Sequence, residues 1–291
     1  YRGFDEDVRI HLCAIMPSGV GKTEGSNLLC EVVDSLKRTY KLRYKLIERY
    51  NDAVLTGSID KQAIEFNIKH KLKPGHPDYK EPYKPSVLAT HDFIIYDEGE
   101  NILKTTAQTE GAQRILQKAM NRHGSAGNFV SNDLVGYSVG EYPDCSIIIT
   151  SYYLDEFKET LLRRGLLQRM IVYIQEEDEA RRDEIIKRIL HSVPVFEESP
   201  KEAEKRIEEE KKKQQKILAK IKNEVKKLVE FHKKTKYVYI KAGATEVLEK
   251  YVYELRNLMP FLAGQKQIWE SIISRLTVNS LKVAAIYALL N

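Results

Sequence analysis

Residues 11–23, "HLCAIMPSGVGKT", decide how the rest of the chain is interpreted, because an apolar run ends here in a glycine-containing loop that leads into lysine and threonine. The stretch fits the phosphate-binding pattern G-x-x-x-x-G-K-[ST] except at its first position, where Met16 replaces glycine. In such loops, backbone N–H groups converge on phosphate oxygens at the start of a helix. Met16 lies at the strand exit, far from the γ-phosphate, so the substitution weakens the match but leaves the mechanism in place.

Two glycines and one lysine carry the chemistry predicted for this loop. Gly19 and Gly21 allow the tight turn that brings N–H groups onto phosphate oxygens. Lys22 is placed to neutralise the β- and γ-phosphates of ATP, and Thr23 is placed to ligate Mg²⁺. The predicted nucleotide contacts are Pro17, Ser18, Gly19, Val20, Gly21, Lys22, Thr23 and Glu24.

The stretches around the loop indicate an α/β fold. Short apolar runs alternate with amphipathic stretches, which is typical of a mostly parallel sheet flanked by helices. The segment after the loop places several apolar residues on one helical face, so strand, loop and helix follow in order. That face comprises Leu28, Leu29, Val32, Val33 and Leu36. We predict strands within 9–16, 40–48, 93–98, 145–151 and 168–174.

An acidic pair follows the predicted strand that begins at Phe93. In "FIIYDEGE", Asp97 is predicted to hold Mg²⁺ through water, and Glu98 to polarise the water that attacks the γ-phosphate. An ordinary acidic strand end is the alternative. Combined with the phosphate-binding loop, the adjacent carboxylates specifically indicate ATP hydrolysis.

Two later motifs supply further candidates. "CSIIITS" ends in Thr150 and Ser151, whose hydroxyls are placed to sense the γ-phosphate or orient the water. "LLRRGLLQRM" offers Arg163, Arg164 and Arg169. An arginine here would stabilise transition-state charge in the site of a neighbouring subunit. A surface arginine held in a salt bridge is the alternative for each.

The chain divides into three predicted parts. Residues 1–198 form the P-loop ATPase core, 199–236 a long charged helix that is an insertion or linker, and 237–291 a C-terminal helical subdomain that we predict to be truncated. Ser199 and Glu202 form a capping box at the start of the long helix.

Two shorter stretches carry weaker structural signals. Four prolines in 71–91 predict an irregular connection or small hairpin. "NFVSNDLVGYSV", residues 128–139, predicts two short strands around an Asn–Asp turn.

The composition limits the class of protein. The chain has 291 residues, 42% of them hydrophobic, and a formal net charge of +5, so it can bury a core but is not strongly cationic. No run of eighteen apolar residues and no signal-peptide layout occur, so we expect a cytoplasmic protein, in the host cell if viral, with no membrane partner. Cys13, Cys30 and Cys145 lack metal-ligand spacing and are predicted to be core thiols. Since the chain begins with Tyr1, we expect it to be a fragment of a longer protein.

Taken in order, these motifs resemble AAA+ replicative helicases: the loop, the acidic pair, a helix with "KAMNRHG", the hairpin, the polar strand end, "GLLQRM" and a late "ESIISRLTVNSLKVAAIYALL". The likeness is strongest to the helicase halves of phage and plasmid primase-helicase proteins and more distant to minichromosome maintenance helicases. It implies an AAA+ or RecA-like fold in which Arg169 acts in trans and Arg275 contacts the γ-phosphate. It also implies that the hairpin lines a channel and touches DNA. The hairpin tip lacks a basic residue, and substitutes from the preceding helix are Lys104, Lys118, Arg122 and His123.

The resemblance implies a ring-forming, hexameric motor of a phage or mobile element that hydrolyses ATP to translocate on and unwind single-stranded or forked DNA. A primase domain on the same full-length chain is a possible further part. Two alternatives stay open: a P-loop ATPase that packages DNA or remodels protein without unwinding, and a nucleotide-switched binding module. The predicted catalytic residues are Lys22, Glu98, Ser151 and Arg169, with Thr23 and Asp97 at the metal.

Overall fold

The computed structural model describes residues 9–17, 22–47, 52–104, 107–134, 137–152, 165–175, 199–234, 242–257 and 266–290, with single positions at 180, 183 and 187. Its strands are β1 (Leu12–Ile15), β2 (Tyr44–Ile47), β3 (Ser58–Ile59), β4 (Tyr83–Lys84), β5 (Phe93–Tyr96), β6 (Val130–Leu134), β7 (Tyr137–Glu141), β8 (Ser146–Ser151) and β9 (Ile171–Ile174). Its α-helices are α1 (Lys22–Tyr40), α2 (Asp52–Thr56), α3 (Lys61–Lys69), α4 (Val87–Thr90), α5 (Glu100–Leu103), α6 (Ala107–Ala119), α7 (Pro200–Lys234), α8 (Ala242–Asn257) and α9 (Lys266–Leu290).

Five of the strands form one sheet in the order β2–β5–β8–β1–β9, and every neighbouring pair is parallel. The prediction of an α/β fold with a mostly parallel sheet flanked by helices is therefore confirmed. Because the strands are parallel, the carboxyl ends of β1, β5 and β8 meet at one edge of the sheet. Their amino ends meet at the opposite edge.

The core lies on the central strands, which are apolar because both faces of the sheet are covered. Ile94 and Ile95 of β5 and Ile147 and Ile149 of β8 are fully buried. The helix after the predicted loop contributes part of its apolar face. Val32, Val33 and Leu36 are buried there, whereas Leu28 is 39% exposed, so the predicted stripe packs only along its later turns.

The two thiols predicted in strands lie in this core. Cys13 and Cys145 are buried, and burial raises the pKa of both thiols to about 12. Cys30 is half-buried on α1, so its prediction as a core thiol is met only in part. None of the three cysteines is in a disulfide.

The hairpin forms, but its predicted turn is wrong. β6 and β7 pair antiparallel, with Asn132 opposite Val139 and Asp133 opposite Ser138. The Asn–Asp dipeptide therefore lies within a strand, and the closing pair is Leu134 with Tyr137. Asn and Asp are common turn residues, but pairing along the whole ribbon sets the register here. The two connecting residues, 135–136, lie outside the described part of the chain.

The proline-rich stretch 71–91 is irregular as far as Pro82, as we predicted, but its second half contains β4 and α4. β3 pairs with β4, with Ser58 opposite Lys84 and Ile59 opposite Tyr83. Between them, α3 starts at its N-cap Asp60, whose side chain accepts hydrogen bonds from two backbone N–H groups.

The long helix begins with the capping box that its sequence predicts. The hydroxyl of Ser199 donates to Glu202 Oε2 at 2.7 Å, and Ser199 N donates to the same oxygen at 3.1 Å. This helix, α7, lies against α1, where Lys222 Nζ is 3.5 Å from Glu31 Oε1 and the Tyr40 hydroxyl donates to Glu230 at 3.2 Å. Of the helices described, none is long and apolar enough to cross a membrane.

Candidate functional site

The carboxyl edge of the sheet brings three of the predicted segments together. Asp97 and Glu98 follow β5, Ser151 ends β8, and the predicted phosphate loop leaves β1. Since β8 lies between β1 and β5, its polar end stands between the loop strand and the acidic pair. The backbone continues this arrangement beyond the sheet, because Met16 N donates to Ser151 O at 3.0 Å.

Asp97 is held in place by the neighbouring strand. The hydroxyl of Thr150 lies 2.7 Å from Asp97 Oδ1, to which it donates, and 3.3 Å from the Tyr96 carbonyl. Gly99 N returns a hydrogen bond to the Thr150 carbonyl at 2.7 Å. These contacts fix one carboxylate oxygen of Asp97, while no hydrogen bond from a described residue reaches the other.

Glu98 has an unusual backbone and an exposed side chain. Its φ is 55°, in the left-handed region that costs a residue with a Cβ about 1–2 kcal/mol. Its carboxylate makes no hydrogen bond or ion pair with the residues that the structure describes. Strained residues of this kind cluster at functional sites, where the surrounding structure over-determines them.

The predicted nucleotide contacts are only partly visible. Pro17 is buried at the end of β1, and Thr23 is exposed on the first turn of α1. Ser151 is fully buried, and its hydroxyl donates to the Tyr152 carbonyl at 3.1 Å. The residues Ser18, Gly19, Val20 and Gly21, and the side chains of Lys22 and Glu24, lie outside the described part of the chain.

Arg169 lies at the other edge of the sheet. It lies two residues before β9 begins at Ile171. The backbone there is tied to the amino end of β1, since Ile171 N donates to the His11 carbonyl at 2.8 Å. The four residues of β1 span roughly 13 Å at the usual rise of a strand, which is more than an arginine side chain can bridge. Arg169, which is predicted to act in a neighbouring subunit's site, is therefore remote from the predicted phosphate-binding loop of its own chain. Arg163 and Arg164 fall outside the described residues.

A cationic cavity of about 370 Å³ opens at this amino edge. None of the described residues that line it is Asp or Glu. Asp144, the acid near this edge, instead lies 3.9 Å from Arg9 and 4.0 Å from His123. The cationic side chains that line the cavity are Arg122, Arg169, Arg275 and Lys282.

The two arginines predicted to act on phosphate lie in this cavity together. Burial lowers the pKa of Arg169, and the nearby positive charge of Arg275 lowers it further. Arg275 itself makes no hydrogen bond or ion pair with any described residue. Two like charges are thus held near each other without a carboxylate between them.

The four residues that the sequence analysis offered for a DNA contact beside the hairpin are divided between two places. Arg122 lines the cavity, and His123 Nδ1 lies 3.0 Å from the Pro143 carbonyl at the same edge. Lys104 and Lys118 are exposed on the surface near α5 and α6.

Two residues that contact Arg169 were not predicted from the sequence. Asn121 accepts a hydrogen bond from Arg169 Nε, and Gly165 supplies the carbonyl that accepts from Arg169 Nη1. Gly165 has a φ of 77°, so its place in "RRGLLQR" carried a usable signal, whereas Asn121 is distant in sequence from the arginine that it contacts.

Comparison of the sequence with protein-family models and with curated proteins finds no match. In the part of the chain that the structure describes, no group of three or more His, Cys, Asp or Glu side chains is placed to hold a metal ion.

Proposed function

We propose that this chain is the ATP-hydrolysing motor of a DNA helicase from a phage or mobile element, with its catalytic sites shared between neighbouring copies. The observation that carries the proposal is the carboxyl edge. There Thr150 of β8 holds Asp97, which follows β5, and β8 is also the neighbour of β1, the strand that leads into the predicted phosphate-binding sequence. The resemblance of the motif order to AAA+ replicative helicases supports the same assignment.

The residues present fit magnesium and a nucleoside triphosphate. Mg²⁺ prefers oxygen ligands and is usually held by one or two carboxylates together with phosphates and water. Asp97 supplies a carboxylate that Thr150 orients, and Thr23 supplies an exposed hydroxyl at the start of α1. Bound Mg²⁺ would neutralise charge on the phosphates. Lys22 would add a positive charge on the β- and γ-phosphates.

Glu98 is proposed as the general base. Its carboxylate is exposed beside Asp97, and it is not engaged by other described residues. It would accept a proton from the attacking water as the water adds to the γ-phosphorus, and the bond to the ADP oxygen breaks. Asp97 would hold Mg²⁺ instead, with its carboxylate oriented by the 2.7 Å hydrogen bond from Thr150.

The position of Arg169 supports a shared site. The guanidinium lies at the amino edge, roughly one strand length from the acidic pair of its own chain. Arg275 lines the same cavity without a counter-ion among the described residues. A triphosphate presented by a second copy would supply the missing negative charge, so we propose a homo-oligomer, with a hexameric ring as the expected form.

The test measures ATP turnover and strand separation together. We expect ATPase activity that single-stranded DNA stimulates, and displacement of one strand from a forked duplex. Glu98→Gln should lower kcat about 10²–10⁴-fold without loss of nucleotide binding. Glu65→Gln, at an exposed position on α3, is the matched control and should leave kcat unchanged.

The alternatives give different results. ATP turnover that a protein partner or duplex DNA stimulates, with no strand displacement, would refute the helicase function and favour a remodelling or packaging ATPase. Nucleotide binding without turnover in the wild-type chain would leave a nucleotide-switched binding module.

A further inference from the structure

The guanidinium of Arg169 is oriented by two neutral oxygen atoms. Its Nε donates to Asn121 Oδ1 at 3.0 Å, and its Nη1 donates to the Gly165 carbonyl at 2.6 Å. No carboxylate of the described chain pairs with it. Repulsion from Arg275 would favour a rotated side chain, so the orientation of Arg169 depends on these two acceptors.

The side-chain amide of Asn121 can face Arg169 in only one way. Its Nδ2 donates to the Gly127 carbonyl at 2.7 Å. A flipped amide would direct its NH₂ at the Arg169 N–H and its oxygen at the Gly127 carbonyl, losing both hydrogen bonds. The oxygen of Asn121 is therefore directed at Arg169 by a contact on the opposite side of the amide.

The backbone of Asn121 is also fixed. Its carbonyl accepts hydrogen bonds from Arg9 Nη2 at 2.5 Å and from Asn128 Nδ2 at 3.3 Å. Asn128 is fully buried and also donates to the Ala119 carbonyl at 3.1 Å. Asn121 is thus attached to the end of α6 and to Arg9, in the segment that precedes β1.

The second acceptor depends on a glycine. A Cβ at Gly165 would lie 2.5 Å from Arg169 Nη1, and its φ of 77° disfavours other residues. The space beside Gly165 is therefore filled by the guanidinium itself. Asn121 and Gly165 hold the nitrogens Nε and Nη1, which leaves Nη2 without a described protein acceptor.

We propose that Asn121 is a positioning residue that holds the Arg169 guanidinium ready for the phosphates of a nucleotide bound by a second copy of this chain. The inference rests on the proposed function, because it assigns Asn121 a part in the same shared site. In this role Asn121 acts through its hydrogen bond to Arg169.

The first experiment measures the contact directly. Hydrogen exchange of the Arg169 Nε–H is followed by NMR, with the signal assigned through its loss in Arg169→Lys. We expect Asn121→Ala to raise the exchange rate at least about tenfold, as the loss of one hydrogen bond worth about 1.4 kcal/mol predicts. Asn121→Asp, which keeps an oxygen opposite Nε, should keep the proton protected. Unchanged exchange in a folded Asn121→Ala would overturn the proposal.

The second experiment separates positioning from a general loss of structure. Asn121→Ala should lower kcat about 10- to 100-fold with KM for ATP unchanged, because its own phosphate loop is intact. The Lys22→Ala variant keeps Arg169 and Asn121 but lacks the lysine of the predicted phosphate-binding loop. A mixture of Asn121→Ala and Lys22→Ala should therefore hydrolyse ATP faster than the two variants measured apart. In an Arg169→Ala background, Asn121→Ala should have no further effect on kcat. Asn223→Ala, exposed on α7, is the control.

The two proposals fail in different ways. A wild-type chain without ATP turnover would refute the proposed function, while the exchange measurement would still decide whether Asn121 holds Arg169. Turnover in the wild type with additive effects of Asn121→Ala and Arg169→Ala, or no gain on mixing, would refute the positioning role alone.

Discussion

Replacing Glu98 by glycine should make the protein more stable and less active at once. At φ 55°, the left-handed backbone costs a residue with a Cβ about 1–2 kcal/mol of folding free energy, and glycine avoids this cost. Glycine also gives the unfolded chain more freedom, worth about 0.5–1 kcal/mol. The difference leaves the free energy of unfolding about 0.5–1 kcal/mol higher in Glu98→Gly. In a chain of this length we expect Tm to rise by about 1–3 °C.

Lys41 offers a control with the same backbone and no proposed role. Its φ is 56°, and it follows directly after α1, where glycine is the commonest residue. Lys41→Gly should raise Tm by a similar amount and leave ATP turnover unchanged. Glu98→Gly should lower kcat about 10²–10⁴-fold, and Glu98→Gln should do so with Tm unchanged.

Thermal unfolding followed by circular dichroism and a steady-state ATPase assay measure the two effects on the same preparations. The reasoning would be refuted by a Glu98→Gly variant that unfolds below the wild type while Lys41→Gly unfolds above it. Full turnover in Glu98→Gly would refute the catalytic half separately.

Three further variants test other contacts of the two edges. Thr150→Val removes the hydrogen bond to Asp97, so we expect kcat to fall about tenfold and the Mg²⁺ concentration for half-maximal activity to rise. Thr150→Ser keeps the hydroxyl and should retain the wild-type values of both. Gly165→Ala brings a Cβ to 2.5 Å from Arg169 Nη1, so it should lower kcat. The affinity for ATP, measured by equilibrium binding, should be unchanged, and a loss of affinity would contradict this account. Met16→Gly keeps the backbone N–H at the strand exit, so its kcat should stay within about twofold of the wild type, and a large gain would show that methionine obstructs the loop.

The sheet could be predicted because its signal is local. Runs such as 93–98 and 145–151 are apolar over a strand length and end in polar residues, which gives both the strand and the edge where its carboxyl end lies. The start of α7, capped by Ser199, is equally predictable, since the capping box and the charged run are contiguous in sequence.

The details of the site depend on contacts that sequence patterns do not contain. The hydrogen bond from Arg169 to Asn121 joins residues 48 positions apart, and neither residue type signals the other. The left-handed backbone of Glu98 is imposed by its surroundings, since the residue itself disfavours that conformation. Local turn preference predicts the hairpin turn at Asn132 and Asp133, whereas the pairing of β6 with β7 places both residues within a strand.

The contact between α7 and α1 has a consequence for how the molecule responds to its solvent. The ion pair from Lys222 to Glu31 is partly exposed, and the hydrogen bond from Tyr40 to Glu230 lies at the surface. Dissolved ions therefore weaken both attractions, over a Debye length of about 8 Å at physiological ionic strength. The sheet is held by apolar burial, which moderate salt does not weaken. Raising the ionic strength should therefore weaken these two contacts between α7 and α1 more than it weakens the packing of the sheet.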